Sequence, residues 1–233
     1  MNEPAVDITS LDFGWPGQPS LLLIDQLRIA RGERTFLYGP SGSGKSTLLS
    51  LIGGVLVPKS GSVRVLGTEL QTLRSSARDR YRGNHIGFIF QMFNLVPYLS
   101  VLANVLLPLR FSPTRGQELR TLGAEQEEAG RLLKALGLGA DLADRPATAL
   151  SIGQQQRVAA ARALIGRPSL VIADEPTSAL DSDTRAGFLD LLMTECRAAG
   201  TTLLFVSHDL SLAKLFDRSL ALRELNRAGA PSP

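Results

Sequence analysis

Gly39-Pro40-Ser41-Gly42-Ser43-Gly44-Lys45-Ser46-Thr47 is the stretch that decides the fold. It fits the pattern G-x-x-x-x-G-K-[ST] at every position. Ahead of it runs Thr35-Phe36-Leu37-Tyr38, an apolar segment suited to a buried strand. After it, Leu48-Leu49-Ser50-Leu51-Ile52 reads as the opening of a helix. Between strand and helix, the glycines let the backbone curl so that several N–H groups face one phosphate chain. The helix N-terminus adds its positive end. Lys45 is placed to reach β- and γ-phosphates, and the Ser46 hydroxyl to bind Mg²⁺.

A second half of such a site is expected at the end of another buried strand. Leu170-Val171-Ile172-Ala173-Asp174-Glu175 is a continuous apolar run that ends in two carboxylates, the pattern of a fully buried parallel strand. Ligands of open parallel sheets gather at the carboxyl ends of strands, so Asp174 and Glu175 are expected beside the cradle. Asp174 is then a Mg²⁺ residue acting through water, and Glu175 a base for an attacking water. Lys45 and Asp174 stand about 130 residues apart, far more chain than a strand–helix–strand unit of roughly 30 residues needs. The excess, from about Met92 to Gly166, carries helical patterning. Glu127 to Leu138 reads as one amphipathic helix with a glycine near its end. Leu150 to Leu164 reads as another, with Ser151 as its N-cap.

With these residues in hand, the chain resembles the ATP-hydrolysing subunit of ABC transporters, over roughly residues 6 to 222. Leu150-Ser151-Ile152-Gly153-Gln154 is similar to that family's signature loop, L-S-G-G-Q. Gln91, after Ile86-Gly87-Phe88-Ile89-Phe90, resembles the glutamine that touches Mg²⁺ and the attacking water. Ser178-Ala179-Leu180-Asp181 resembles the D-loop, and His208, after Leu203-Leu204-Phe205-Val206-Ser207, the switch histidine on the γ-phosphate. Trp15 sits where the family places an aromatic under adenine, a stacking contact that does not read base edges. The resemblance implies an α/β fold: a P-loop core, a small antiparallel β subdomain near the N-terminus and an inserted α-helical subdomain over about 92–166. The whole chain is expected to be one nucleotide-binding domain, with a flexible tail from 226.

It also implies a head-to-tail dimer enclosing two ATP. Ser151, Gly153 and Gln154 would face the nucleotide held by the other subunit, and Asp181 would carry information between the two sites. Ile152 departs from the pattern by replacing the first glycine of the signature. If the backbone there needs φ > 0, a β-branched residue weakens closure; if the position is helical, only packing changes.

Composition fits a soluble subunit. With 233 residues and 44% hydrophobic content the chain can build a large core. No run reaches the 18 or so apolar residues of a membrane span, and the polar start lacks the apolar stretch of a signal peptide. A single cysteine, Cys196, excludes an internal disulfide and suits a reducing compartment. Net charge of +3 is unremarkable, and nucleic acid is not an expected partner because the basic group near Tyr81 lacks further interleaved aromatics. Arg74, Arg78, Arg80 and Arg82 form a local basic group, read either as a solvated helix face or as a contact for anionic headgroups or a partner helix.

The run from Ile86 to Pro97 and the segment Asn104 to Leu109 resemble the macrolide-exporter and lipoprotein-release group. That implies a membrane permease with a large extracytoplasmic domain as partner, ATP and Mg²⁺ as cofactors, and a cytoplasmic position against the inner face of the membrane. Met92, Phe93, Leu95, Val96, Tyr98 and Leu99 are where such a partner's helix would dock, or simply where the helical insertion packs. Rival readings are a DNA-associated ABC ATPase, which would need a long coiled coil, a translation-type protein with two cassettes, an ATP-binding module of little turnover, and force transmission without transport.

Overall fold

The computed structural model describes residues 3–178, 180 and 182–228, with backbone alone at 182 and 183. In chain order the elements are β1 (Val6–Phe13), β2 (Leu22–Ile29), β3 (Arg34–Tyr38), α1 (Lys45–Ile52), β4 (Ser60–Val65), β5 (Thr68–Glu69) and α2 (Ser75–His85). There follow β6 (Ile86–Ile89), α3 (Val101–Phe111), α4 (Gln117–Thr121), α5 (Glu125–Ala135), α6 (Ile152–Leu164) and β7 (Leu170–Asp174). The chain closes with α7 (Ser182–Ala199), β8 (Thr202–Val206), β9 (Arg218–Ala221) and α8 (Leu222–Leu225). They fall into two compact units, one running up to Arg82 and resuming at Thr202, the other Gly83–Thr201.

In the first unit, β2, β1, β4 and β5 form an antiparallel sheet. Alternating burial along β1 slips by one residue at Thr9 and Ser10. This bulge puts Ser10 at φ 49 and keeps Ile8, Leu11 and Phe13 on the buried face, since one unpaired residue re-aims the rest of a strand. The partner strand approaches so closely there that a Cβ on Gly61 would lie 2.2 Å from the Ser10 carbonyl oxygen.

The same unit holds three parallel strands, with β3 between β8 and β9. Strand β8 is buried along its whole length and β3 at its three middle residues, as strands inside a parallel sheet are. Phe36, Phe205 and Phe216 meet here with ring centroids 5.1 to 6.2 Å apart, fixing the strand from which the glycine loop departs. Behind that loop, the basic group of α2 is partly structural. Arg78 donates to the carbonyls of Gly54 and Leu73, and Arg82 to that of Gly53. Two guanidinium groups thus satisfy carbonyls just past the C-terminal end of α1, where positive charge is favoured. Neither of the two readings of this group anticipates that; Arg74 and Arg80 stay exposed.

In the second unit, β6 and β7 pair in parallel, with Ile89 opposite Ala173. Helix α6 lies so close to β6 that a Cβ on Gly87 would sit 2.2 Å from the Ala163 carbonyl oxygen. The alanines Ala159, Ala160, Ala161 and Ala163 are all buried, small enough to permit that approach. Between 92 and 166 the named elements are helices and short 3₁₀ turns. Asn104 is fully buried, and its amide bonds both backbone groups of Val96 and the carbonyls of Leu99 and Ser100. Among the described residues no helix is long and apolar enough to cross a membrane.

Candidate functional site

The glycine loop leaves β3 at Gly39 and turns through Gly42 at φ 77 and Gly44 at φ 97. Both values lie in the left-handed region that glycine enters freely. Gly44 is also the N-cap of α1, and no side chain caps that helix. A Cβ at Gly44 would meet the Leu22 Cδ2 at 2.8 Å, so space as well as φ demands glycine.

Lys45 is buried, and its Nζ donates to the carbonyls of Gly39 at 2.8 Å and Pro40 at 3.0 Å. The ammonium is therefore folded back across its own loop. The Ser43 Oγ is buried with no hydrogen-bond partner and lies 3.0 Å from where a Gly39 Cβ would stand. An orphaned hydroxyl costs about 1–3 kcal/mol, so this one is a ready partner for a bound anion or an ordered water. Orphan hydroxyl, uncapped helix start and buried ammonium together fit a polyphosphate. Ser46 is exposed at the same helix start and Thr47 half-buried.

His208 belongs to the same unit. The Ser207 N–H donates to the Leu37 carbonyl at 3.2 Å, tying the loop after β8 to the strand before the cradle. The Ser207 Oγ accepts from the Asp209 N–H. His208, Tyr38, Gly39, Pro40, Leu210 and Arg223 line a cavity of about 280 Å³, so histidine and cradle entrance share one space. Trp15 opens a tight turn closed by the Gln18 N–H on its carbonyl at 2.9 Å. Pro16 and the left-handed Gly17 fill the middle positions, as a type II turn requires. The indole is 43% exposed and meets Phe13 edge-on at 5.3 Å, leaving a face open to stacking.

The remaining candidates lie in the second unit. Register carries β6 and β7 to a common carboxyl edge, where Gln91 follows Phe90 and Glu175 follows Asp174. Glu175 has φ 44, a strained value for a non-glycine residue, and such strain collects at functional sites. Both carboxylates are half-buried, and both have interaction partners. Asp174 and Gln91 carry the hard oxygens that Mg²⁺ prefers, and in the first unit so does Ser46. Among the described residues no group of three or more His, Cys, Asp or Glu could hold a metal by itself; Mg²⁺ ordinarily takes one or two carboxylates plus substrate phosphates.

Ser151 caps α6. Its side chain accepts from the Gln154 N–H at 3.3 Å, and the Gln154 side chain accepts from the Ser151 N–H at 2.9 Å. This capping box holds the loop rigid while the Ser151 hydroxyl hydrogen stays available to donate. Ile152 is the first helical residue and 56% exposed. Of the two alternatives for this position the helical one holds, so Ile152 carries no left-handed strain. A Cβ at Gly153 would contact Leu180 and Thr184 at 3.7 and 3.8 Å. Asp181 lies outside the described residues.

Two arginines escaped the sequence reading. Arg115 is buried and donates to the carbonyls of Ile86, Arg162, Ala163 and Ile165. Burial lowers its pKa to about 10, which leaves it charged at neutral pH, at the negative end of α6. Arg162 is buried too and donates to the carbonyls of Phe93 and Asn94. The available signal was a lone arginine inside the alanine-rich run Ala159 to Leu164.

The family model described as "ABC transporter" matches residues 24–178. The lipoprotein-releasing system ATP-binding protein LolD of Pseudomonas fluorescens is 44% identical over 199 residues, 85% of each chain. The uncharacterized ABC transporter ATP-binding protein YbbA of Escherichia coli K12 is 46% identical over 203 residues, covering 87% of this chain and 86% of that one. Among solved structures, the ATP-binding cassette MJ0796, a dimer in a post-hydrolysis state bound to ADP and Pi, superposes with a TM-score of 0.80. It is 36% identical, with 93% of each chain covered.

Proposed function

The chain belongs to the ABC transporter family, and from that premise we propose that it works as a dimer around two ATP molecules and drives a membrane permease of the lipoprotein-release type. It is an ATP-binding cassette ATPase. The roles of individual residues are our reading. Trp15 stacks on adenine. Residues Gly39 to Thr47 wrap the phosphates with backbone N–H groups, and Lys45 exchanges its two loop carbonyls for phosphate oxygens. Ser46, Gln91 and Asp174 hold Mg²⁺, which supplies charge neutralisation on the phosphates. Glu175 orients the attacking water and takes its proton, and His208 donates to the γ-phosphate.

One observation carries the hydrolytic part of this reading: the shared carboxyl edge of β6 and β7, with Gln91 past one strand and the strained Glu175 past the other. Steady-state turnover of Glu175→Gln tests it. The amide keeps the shape and loses the base, so turnover should fall by about 10²–10⁴-fold with ATP still bound. Equal rates would remove Glu175 from the base role.

The dimer reading draws on the MJ0796 cassette, solved as a dimer, and on the exposed start of α6. In the dimer, Ser151, Gly153 and Gln154 approach the nucleotide of the other subunit, and Asp181 links the two sites. The permease reading draws on the LolD relatives, named for lipoprotein release, and on Met92 and Tyr98. These large side chains, in the segment that follows Gln91, are 81% and 83% exposed, as a surface for a partner helix would be. A permease with a large extracytoplasmic domain, and a place on the inner face of the cytoplasmic membrane, complete the proposal. Purification of the tagged chain from its native membrane in mild detergent tests it. A co-purifying permease with a large outer domain supports the reading, whereas recovery without a membrane protein overturns it. If the permease moves no cargo, the same machine transmits force across the membrane.

A further inference from the structure

Gln91 sits in a turn of unusual backbone. The Phe93 N–H donates to the Phe90 carbonyl at 2.9 Å and the Asn94 N–H to the Met92 carbonyl at 2.6 Å. Phe93 and Asn94 follow at φ 59 and 49, two consecutive non-glycine residues in the left-handed region, which is costly for a residue such as Phe93. No glycine eases that shape; Asn94 tolerates it better than Phe93 does. The holding contact comes from α6. The Arg162 guanidinium donates through Nη1 to the Asn94 carbonyl at 2.6 Å and through Nη2 to the Phe93 carbonyl at 2.5 Å. A planar fork suits two neighbouring acceptors.

We propose that Arg162 is a positioning residue for hydrolysis: it locks the Phe90–Asn94 turn, and with it Gln91, to the helix that begins at the signature loop. The proposal rests on the reading of Gln91 as a Mg²⁺ and water residue. Arg162 is buried and reaches only backbone carbonyls in these contacts. Pulling the turn away would leave its charge desolvated and unpaired. The turn therefore cannot shift without carrying the helix along.

Arg115 completes the fastening. It joins the Ile86 carbonyl, at the start of β6, to carbonyls in the last turn of α6. Strand β6 is thus strapped to α6 at both ends, by Arg115 before it and Arg162 after it. From Arg162 back to Ser151 the helix runs roughly 16 Å at 1.5 Å per residue. A push on the exposed Met92 would reach Ser151 and Gly153 through this rod, and a shift of Ser151 would reach Gln91 by the same route.

The test is Arg162→Lys in the full chain, which keeps the charge but cannot grip two carbonyls in one plane. Turnover should drop by about tenfold or more with KM for ATP within about twofold, because a small displacement of a positioned group is costly to the chemical step. Hydrogen exchange of amides 91–96 should speed up by about tenfold or more while β3 and α1 keep theirs. Unchanged turnover and exchange would overturn the proposal. So would turnover, KM and thermal midpoint all moving together, which is the mark of a merely structural arginine.

A measurement on the unmodified chain guards against a variant that fails to fold. The turn amides should open with the same protection as the last turns of α6; exchange about a hundredfold faster means the turn is not held. Gln91→Ala separates the two readings. If it retains turnover, the assignment of Gln91 fails, whereas slow exchange in the turn judges Arg162 on its own.

Discussion

The loop Gly39–Thr47 and the turn Phe90–Asn94 both enter the left-handed region, and they do so by opposite means. In the first, the unusual dihedrals fall on glycines, Gly42 and Gly44. In the second, they fall on Phe93 and Asn94, with Glu175 a further case at the end of the neighbouring strand. Glycine makes the first shape nearly free in the folded state, so the loop is set by its own residues. The second shape is closed by two hydrogen bonds of its own and gripped from outside by Arg162. A cradle that must present N–H groups to every nucleotide benefits from a locally fixed form. Under the proposed coupling, a turn that responds to a partner benefits from being held by something that can move.

The comparison breaks first at the cradle. Gly44→Ala adds a Cβ at φ 97 and 2.8 Å from the Leu22 side chain. Strain and overlap of about 3 kcal/mol or more should weaken ATP binding by about a hundredfold, read by nucleotide titration. Unaltered affinity would show that the loop does not need its own glycine. Next comes Arg115→Met. It leaves four backbone carbonyls without their donor, and the urea midpoint should fall by the equivalent of about 3 kcal/mol. A loss under about 1 kcal/mol would mean water replaces the guanidinium, and the second unit is not organised by buried arginines. The smallest effect is expected for Asn94→Gly. Relief of left-handed strain and the added freedom of the unfolded chain nearly cancel, so stability should stay within about 0.5 kcal/mol. A large loss would show that the Asn94 side chain, not the Arg162 contact, shapes the turn.

The parts of the site built from local rules were legible in the sequence. The cradle, the N-cap at Ser151 and the buried strand ending at Asp174 each combine residues within a few positions of one another. Their physics is carried by φ preferences, capping and apolar runs, which a linear sequence displays. The roles of Arg78, Arg82, Arg115 and Arg162 were not legible. An arginine looks the same in sequence whether it faces water or grips carbonyls dozens of residues away, and those acceptors are backbone atoms that leave no trace in side-chain chemistry. Ile152 lies between these cases: its identity was a visible departure, but only the start of α6 at that residue decided that its backbone is helical.

The sequence by itself therefore determined the strand–loop–helix cradle, the family and the order of the functional segments, because each rests on short-range stereochemistry. The tertiary structure alone decided that His208 shares a cavity with the cradle entrance, that Gln91 and Glu175 leave one strand edge, and that Arg162 fastens the turn at Gln91 to the signature helix. Those facts depend on which distant backbone groups a buried side chain meets, and that is settled only when desolvation forces every buried donor to find its acceptor.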